Sequence, residues 1–226
     1  MATLPSPRHL VGALISSISS NDSTATDSEP TTGNPLKDAS PEIQKALLTL
    51  HVLFPNELLP ALDLLDRGLI TRIFLAPEHL DHHQQQTPAH SDTHEPGVSR
   101  RGQTAIYYVR SAQPQPRHRS AITHTTSYEV RLNSWSCSCP AFAFAAFPAE
   151  PNASSASGSE LFDQPIGGSE REEWTFGGLT RGSDMPVCKH LLACVLIERC
   201  EIFTPFAEER EVSVEELAGW AAGWGD

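Results

Sequence analysis

The sequence predicts an α+β fold: an N-terminal helical hairpin, a small antiparallel β-sheet and a C-terminal helix, with long disordered insertions between them. Three observations lead there. Apolar residues recur at helical spacing over residues 41–67, short β-branched and aromatic runs begin at residue 69, and two pairs of Cys/His residues flank the last run and the last helix.

The elements follow in order. Ser6 and Pro7 precede Leu10, Val11, Leu14, Ile15 and Ile18, which predicts a short amphipathic helix with an N-cap and a proline in its first turn. It runs into a Ser/Thr/Asp-rich linker, so residues 1–39 are expected to be a helix and a disordered connection. Residues 40–68 form the hairpin. Ser40-Pro41 opens a helix striped by Ile43, Leu47, Leu50 and Phe54, and a second carries Leu58, Leu62 and Leu65 before Gly68 ends it. Residues 69–75, 103–110 and 125–132 have strand composition. The Pro-, Gln- and His-rich stretches 76–102 and 111–124 and the Gly/Ser/Glu-rich stretch 148–184 are expected to be disordered insertions. Residues 185–203 predict the last helix. In the acidic tail, 204–226, Ser213 and Glu216 form a capping box and Leu217, Trp220, Ala221 and Trp224 share one face. That face either packs back on the domain or binds a partner.

Charge narrows the function classes. The net charge is −12, with 15 acidic against 5 basic residues over 141–226, which disfavours general nucleic-acid binding because phosphate attraction supplies most non-specific affinity. One basic strip remains over residues 100–131, where six arginines face a single acid, Glu129. Five cysteines are too few for a disulfide scaffold and point to a reducing compartment. The apolar run at residues 10–15 is too short for a signal-peptide core, and no segment is long enough to span a membrane, so a soluble intracellular protein is expected.

The chemistry concentrates in Cys137, Cys139, Cys188 and His190. Alternation along a strand puts residues i and i+2 on one face, so both sulfurs of Cys137 and Cys139 reach one ion. Cys188 and His190 would diverge by about 200° inside a helix. Cys188 is therefore expected in a non-helical turn, aided by Pro186, with the helix starting near His190. Three thiolates and one imidazole make a closed tetrahedral set suited to structural Zn2+, with a net charge near −1 that Lys189 or Arg131 offsets. The 48 residues between the pairs are tolerable because loop closure costs only about 0.6 kcal/mol per doubling of length. Cys194 and Cys200 continue an apolar run and are expected to be core thiols. A low-complexity cluster of His79, His82, His83, His90 and His94 lacks an ordered scaffold.

The string Cys137-Ser138-Cys139-Pro140-Ala141-Phe142-Ala143-Phe144, with Cys188-Lys189-His190-Leu191-Leu192-Ala193, resembles the SWIM zinc-finger family, whose pattern is Cys-x-Cys…Cys-x-His. Within that family it is similar to the SWIM subunits of the Shu complex, as is the stretch from Ala61 to Thr71. The resemblance covers residues 41–75, 103–144 and 185–200; the insertions have no counterpart in it, and the long ligand spacer departs from the family.

It implies a nuclear, non-enzymatic subunit that pairs with a RecA-like recombinase paralogue. The pair promotes recombinase filament assembly on single-stranded DNA in homologous recombination and repair, and DNA is met through the complex. The partner surface is expected around Ala193 and Leu192, on a helix face left open, and at Phe142 and Phe144; Ala193 equally suits ordinary helix filling. An alternative is direct binding of single-stranded DNA or RNA through Arg100, Arg101, Arg110, Arg117, Arg119 and Arg131, interleaved with Tyr107, Tyr108 and Tyr128, provided the tyrosines are not core. No Gly-rich phosphate loop, Ser/His/Asp arrangement or open metal position suggests an enzyme or a small-molecule substrate, and Glu208, Glu209 and Glu211 suit a solvated run.

Overall fold

A computed structural model describes residues 6–22, 39–76, 105–112, 126–147, 176–178 and 185–224. The bulk of the three insertions and the linker after the first helix lies outside the described residues.

Helix α1, Pro7–Asp22, is capped by the Ser6 hydroxyl, which accepts from the His9 amide at 3.4 Å. It is more than a local element, because Val11, Ile15 and Ile18 are all buried and the helix packs on α2, Pro41–Leu53. Ser40 caps α2 in the same way, accepting from the Ile43 amide at 3.4 Å. Helix α3, Leu58–Asp66, ends at Gly68 with φ +58°. There the Gly68 amide donates to Leu65 and the Leu69 amide to Leu64, the paired bonds that satisfy orphan carbonyls at a left-handed helix end.

Strands β1 Ile70–Leu75, β2 Ile106–Arg110 and β3 Ser127–Arg131 lie close to the three expected ranges and, with a short unexpected β4, Ser136–Cys137, form an antiparallel meander. The α+β class stands as expected. The sheet is nevertheless mixed, with strand order β4-β3-β2-β1-β5. Strand β5, Ala207–Val212, pairs parallel to β1 from Ile70↔Ala207 to Leu75↔Val212. Part of the expected acidic tail is thus an edge strand. Its exposed Glu208, Glu209, Arg210 and Glu211 suit that place, since charge on an edge discourages pairing with other chains.

Helix α4, Pro140–Ala146, and α5, Lys189–Arg199, both start at metal-ligand candidates. Every residue of α5 from His190 to Ile197 is buried, so α5 is a central helix rather than an amphipathic cover. It packs on α3 and α1 and on β3 and β4. A 3-10 turn, Glu201–Phe206, leads from α5 into β5.

Each face of the sheet has its own apolar layer. Ile70, Tyr107, Val109 and Val130 face the helical side. Ile73, Ile106, Tyr108 and Val212 form a smaller cluster covered by Leu217 and Trp220 of α6, Val214–Ala221. Of the two roles open to the C-terminal stripe, Leu217 and Trp220 thus pack back on the domain, while Trp224 is exposed. A buried polar network joins α5 to the sheet. Arg72 donates to Glu198 at 2.6 Å and to Glu209 at 3.0 Å, and the Tyr107 hydroxyl also donates to Glu198.

Candidate metal centre

Short-range backbone rules bring the four ligand candidates together. Cys137 ends β4, opposite Val130. Cys139 is extended (φ −76°, ψ 149°) and is the N-cap of α4, with Pro140 fixing the first turn. Its Sγ accepts from the Phe142 amide at 3.3 Å. Cys188 is extended too (φ −132°, ψ 164°) and caps α5, accepting from the Leu191 amide at 3.5 Å. The expected non-helical Cys188 and a helix start beside His190 are both present. Two helix N-termini therefore direct amide N–H groups and their positive dipole ends at two of the sulfurs, which favours thiolate.

All four residues are buried, and their donor atoms lie within 4.8 Å of one another. Cys137 Sγ and His190 Nδ1 are 3.8 Å apart. Tetrahedral coordination with metal–sulfur bonds near 2.3 Å and metal–nitrogen bonds near 2.0–2.1 Å places donors roughly 3.5–3.8 Å apart. The Cys137–His190 pair already has that spacing, and the widest donors, up to 4.8 Å apart, reach it by closing up to about 1 Å. The His190 ring rests on Tyr128, with centroids 4.7 Å apart. Its Nε2 is buried with no hydrogen-bond partner among the described residues. Four protein donors complete a tetrahedral set and leave no position for water.

The three thiols are shifted in opposite directions by one another and by burial. Hydrogen bonds from Cys137 and Cys188 hold the Cys139 thiol far below the usual range. The bonds of Cys137 to Cys139 and Cys188, with burial, push its own thiol far above it. For Cys188 the contact with Cys137 pulls down, but the Cys139 contact and burial outweigh it and push the thiol up to about 11. A metal must displace the protons of Cys137 and Cys188, so uptake near pH 7 is expected to release about two protons and to weaken as pH falls. Titration calorimetry in buffers of different ionisation enthalpy measures that number. Zero released protons would contradict this charge distribution.

The other expected site residues divide by location. Cys194 and Cys200 are buried core thiols outside the cluster. Leu192 and Ala193 are 0% exposed. The expected open face near Ala193 is thereby corrected: the fold itself occupies it, because α5 is enclosed on all sides. Phe142 is half-buried against the core, whereas Phe144 on the same helix is 79% exposed. Arg110 is exposed and donates to the Gly68 carbonyl, and Arg131 is ion-paired with Glu129. Tyr108 is 6% exposed, lies 5.1 Å from the Trp220 ring and donates to Glu129 at 3.0 Å. Arg100, Arg101, Arg117, Arg119 and the histidine cluster lie outside the described residues.

Sequence reasoning missed Phe147, which is 80% exposed beyond α4. The available signal was the absence of any charged residue over 140–149. Apart from the half-buried Phe142 and Ala146, every residue of α4 is exposed although all are apolar. No family model matches the chain, and no curated protein is significantly similar to it. Among the described residues no helix is long and apolar enough to cross a membrane.

Proposed function

We propose that the chain is a zinc-binding, non-enzymatic adaptor that pairs with a RecA-like recombinase paralogue in the nucleus. The pair would promote recombinase filament assembly in homologous recombination and repair, with DNA reached through the complex. The observation that carries this reading is a closed, buried Cys3His cluster at the foot of an exposed helix composed only of apolar residues. The Cys-x-Cys…Cys-x-His string shared with SWIM proteins supplies the class of partner.

Zinc, when bound, supplies a cross-link between the start of α4 and the start of α5. The chain's own residues do the rest. Cys139 caps α4 and fixes its direction, Phe142 anchors one side of it to the core, and Phe144 and Phe147 remain outside. Exposed aromatic side chains on a rigid support are the residues that carry binding energy at protein interfaces. Direct nucleic-acid binding has weaker support, because Tyr108 is covered and Arg131 is paired within the fold.

The test is co-purification with RecA-like paralogues and a measured affinity. The Phe144→Asp/Phe147→Asp variant is expected to keep its metal and its circular dichroism while losing at least about 30-fold in affinity, the scale of one interface hot spot. Wild-type yield of the complex from this double variant would reject α4 as the partner surface. Salt-sensitive binding of single-stranded DNA by the isolated chain would favour the other reading.

A further inference from the structure

A tripeptide from within the third insertion packs against Trp135, the residue that leads into the first ligand pair. Phe176 is 0% exposed, although the surrounding composition predicts disorder. Its ring meets Trp135 edge-on with centroids 4.7 Å apart and Phe54, at the end of α2, with centroids 5.8 Å apart. Trp135 lies two residues before Cys137, and its indole N–H donates to the Pro186 carbonyl at 2.8 Å, two residues before Cys188. One side chain thus ties together the approaches to both ligand pairs, and Phe176 packs against it.

The two glycines make that packing possible. Gly177 (φ +92°) and Gly178 (φ +51°) adopt backbone conformations that side chains disfavour. A Cβ on Gly178 would lie 3.2 Å from the carbonyl oxygens of Leu132 and Asn133 and 3.3 Å from Trp135 Cβ, so the tripeptide presses on the turn that delivers Cys137. A Cβ on Gly177 would meet Met185, on the approach to Cys188, and the Arg8 guanidinium. The Gly178 carbonyl accepts from Arg8 of α1 at 3.2 Å. Trp135 itself holds φ +46°, a strained conformation for a bulky residue that persists only where its surroundings fix it.

We propose that Phe176-Gly177-Gly178 is an intrachain clamp that holds the two ligand pairs in register and sets how slowly the centre gives up its ion. Phe176, Gly177 and Gly178 are not themselves ligand candidates; they position Trp135, which positions Cys137 and Cys188 through the 2.8 Å bond to Pro186. The insertion thereby acts on the metal site, so that whatever lifts the tripeptide off Trp135 loosens the ion. The proposal rests on the metal reading and is independent of any partner.

The test uses the full chain loaded with Co2+, whose absorption reports a tetrahedral thiolate site, and follows loss of the signal in excess chelator. Phe176→Ala and Gly178→Ala are each expected to release the ion about tenfold faster, the lower end of what is lost when groups supporting metal ligands are removed. Val212→Ala, in the apolar cluster on the far face of the sheet, is the control: it lowers the melting temperature and leaves the release rate unchanged. If Phe176→Ala does not fold, Gly178→Ala carries the test. Wild-type release rates in the folded clamp variants, or equal acceleration by Val212→Ala, would overturn the clamp alone. A wild-type chain that takes up no Co2+ would overturn it together with the metal reading.

Discussion

Cys188→Ser is expected to abolish metal binding and with it the cooperative fold. Serine keeps an oxygen at the N-cap of α5, able to accept from the Leu191 amide as Cys188 Sγ does at 3.5 Å, so the cap itself is preserved. What disappears is one of four donors in a closed set. A structural zinc site contributes on the order of 10 kcal/mol, which matches the whole stability of a typical domain, about 5–15 kcal/mol. The loss also falls on the central element, since α5 is buried from His190 to Ile197 and has contacts on both the helical and the sheet side. Elemental analysis should therefore find about one zinc per wild-type chain and none in the variant, and the thermal transition should broaden or vanish. A metal-stripped wild-type chain that melts cooperatively at its original temperature would contradict the assignment.

Glu198→Ala should produce the second-largest loss. Arg72 is buried with a side chain only 8% exposed, and Glu198 is its closest partner as well as the acceptor for Tyr107. Removing one partner of a buried pair costs about 3–5 kcal/mol. The lower end applies because Glu209 still reaches the guanidinium at 3.0 Å. A fall of roughly 10 °C in melting temperature follows for a domain of this size. Glu209 is far more exposed, so Glu209→Ala should cost no more than about 1 kcal/mol. Replacing Arg72 and Glu198 together by leucine should restore much of the loss, since no charge is then stranded. Equal effects from the two single glutamate substitutions would show that burial does not set the strength of this network.

The ligand set could be found in the sequence because its geometry is local. The i, i+2 spacing of Cys137 and Cys139 requires extended backbone, and the same spacing at Cys188 and His190 excludes a helix at Cys188. Both features are present in the fold. Capping residues and Gly68 marked the helix boundaries for the same reason. Elements that depend on distant partners were hidden. Strand β5 carries four charges in six residues and becomes a strand only beside β1. Helix α4 has no apolar periodicity because nearly all of it is exposed. Phe176 sits in a stretch whose composition suggests no core at all, and only Trp135 and Phe54 give it a place. Ala193 was expected to face outward because a small residue suits close approach, but in α5 it makes that approach to the chain itself.

The parallel alignment of β5 with β1 also dictates a timetable. Arg72 and its partner Glu209 are separated by 137 positions in sequence. At about 5–20 residues per second, a ribosome takes roughly 7–30 s to synthesise that interval. Throughout it the outer rim of β1 has hydrogen-bonding groups and no neighbour, the condition under which nascent chains recruit strands from one another. Completion of the sheet must await residues 207–212, so the newborn protein is most vulnerable to misassociation until that strand has been made.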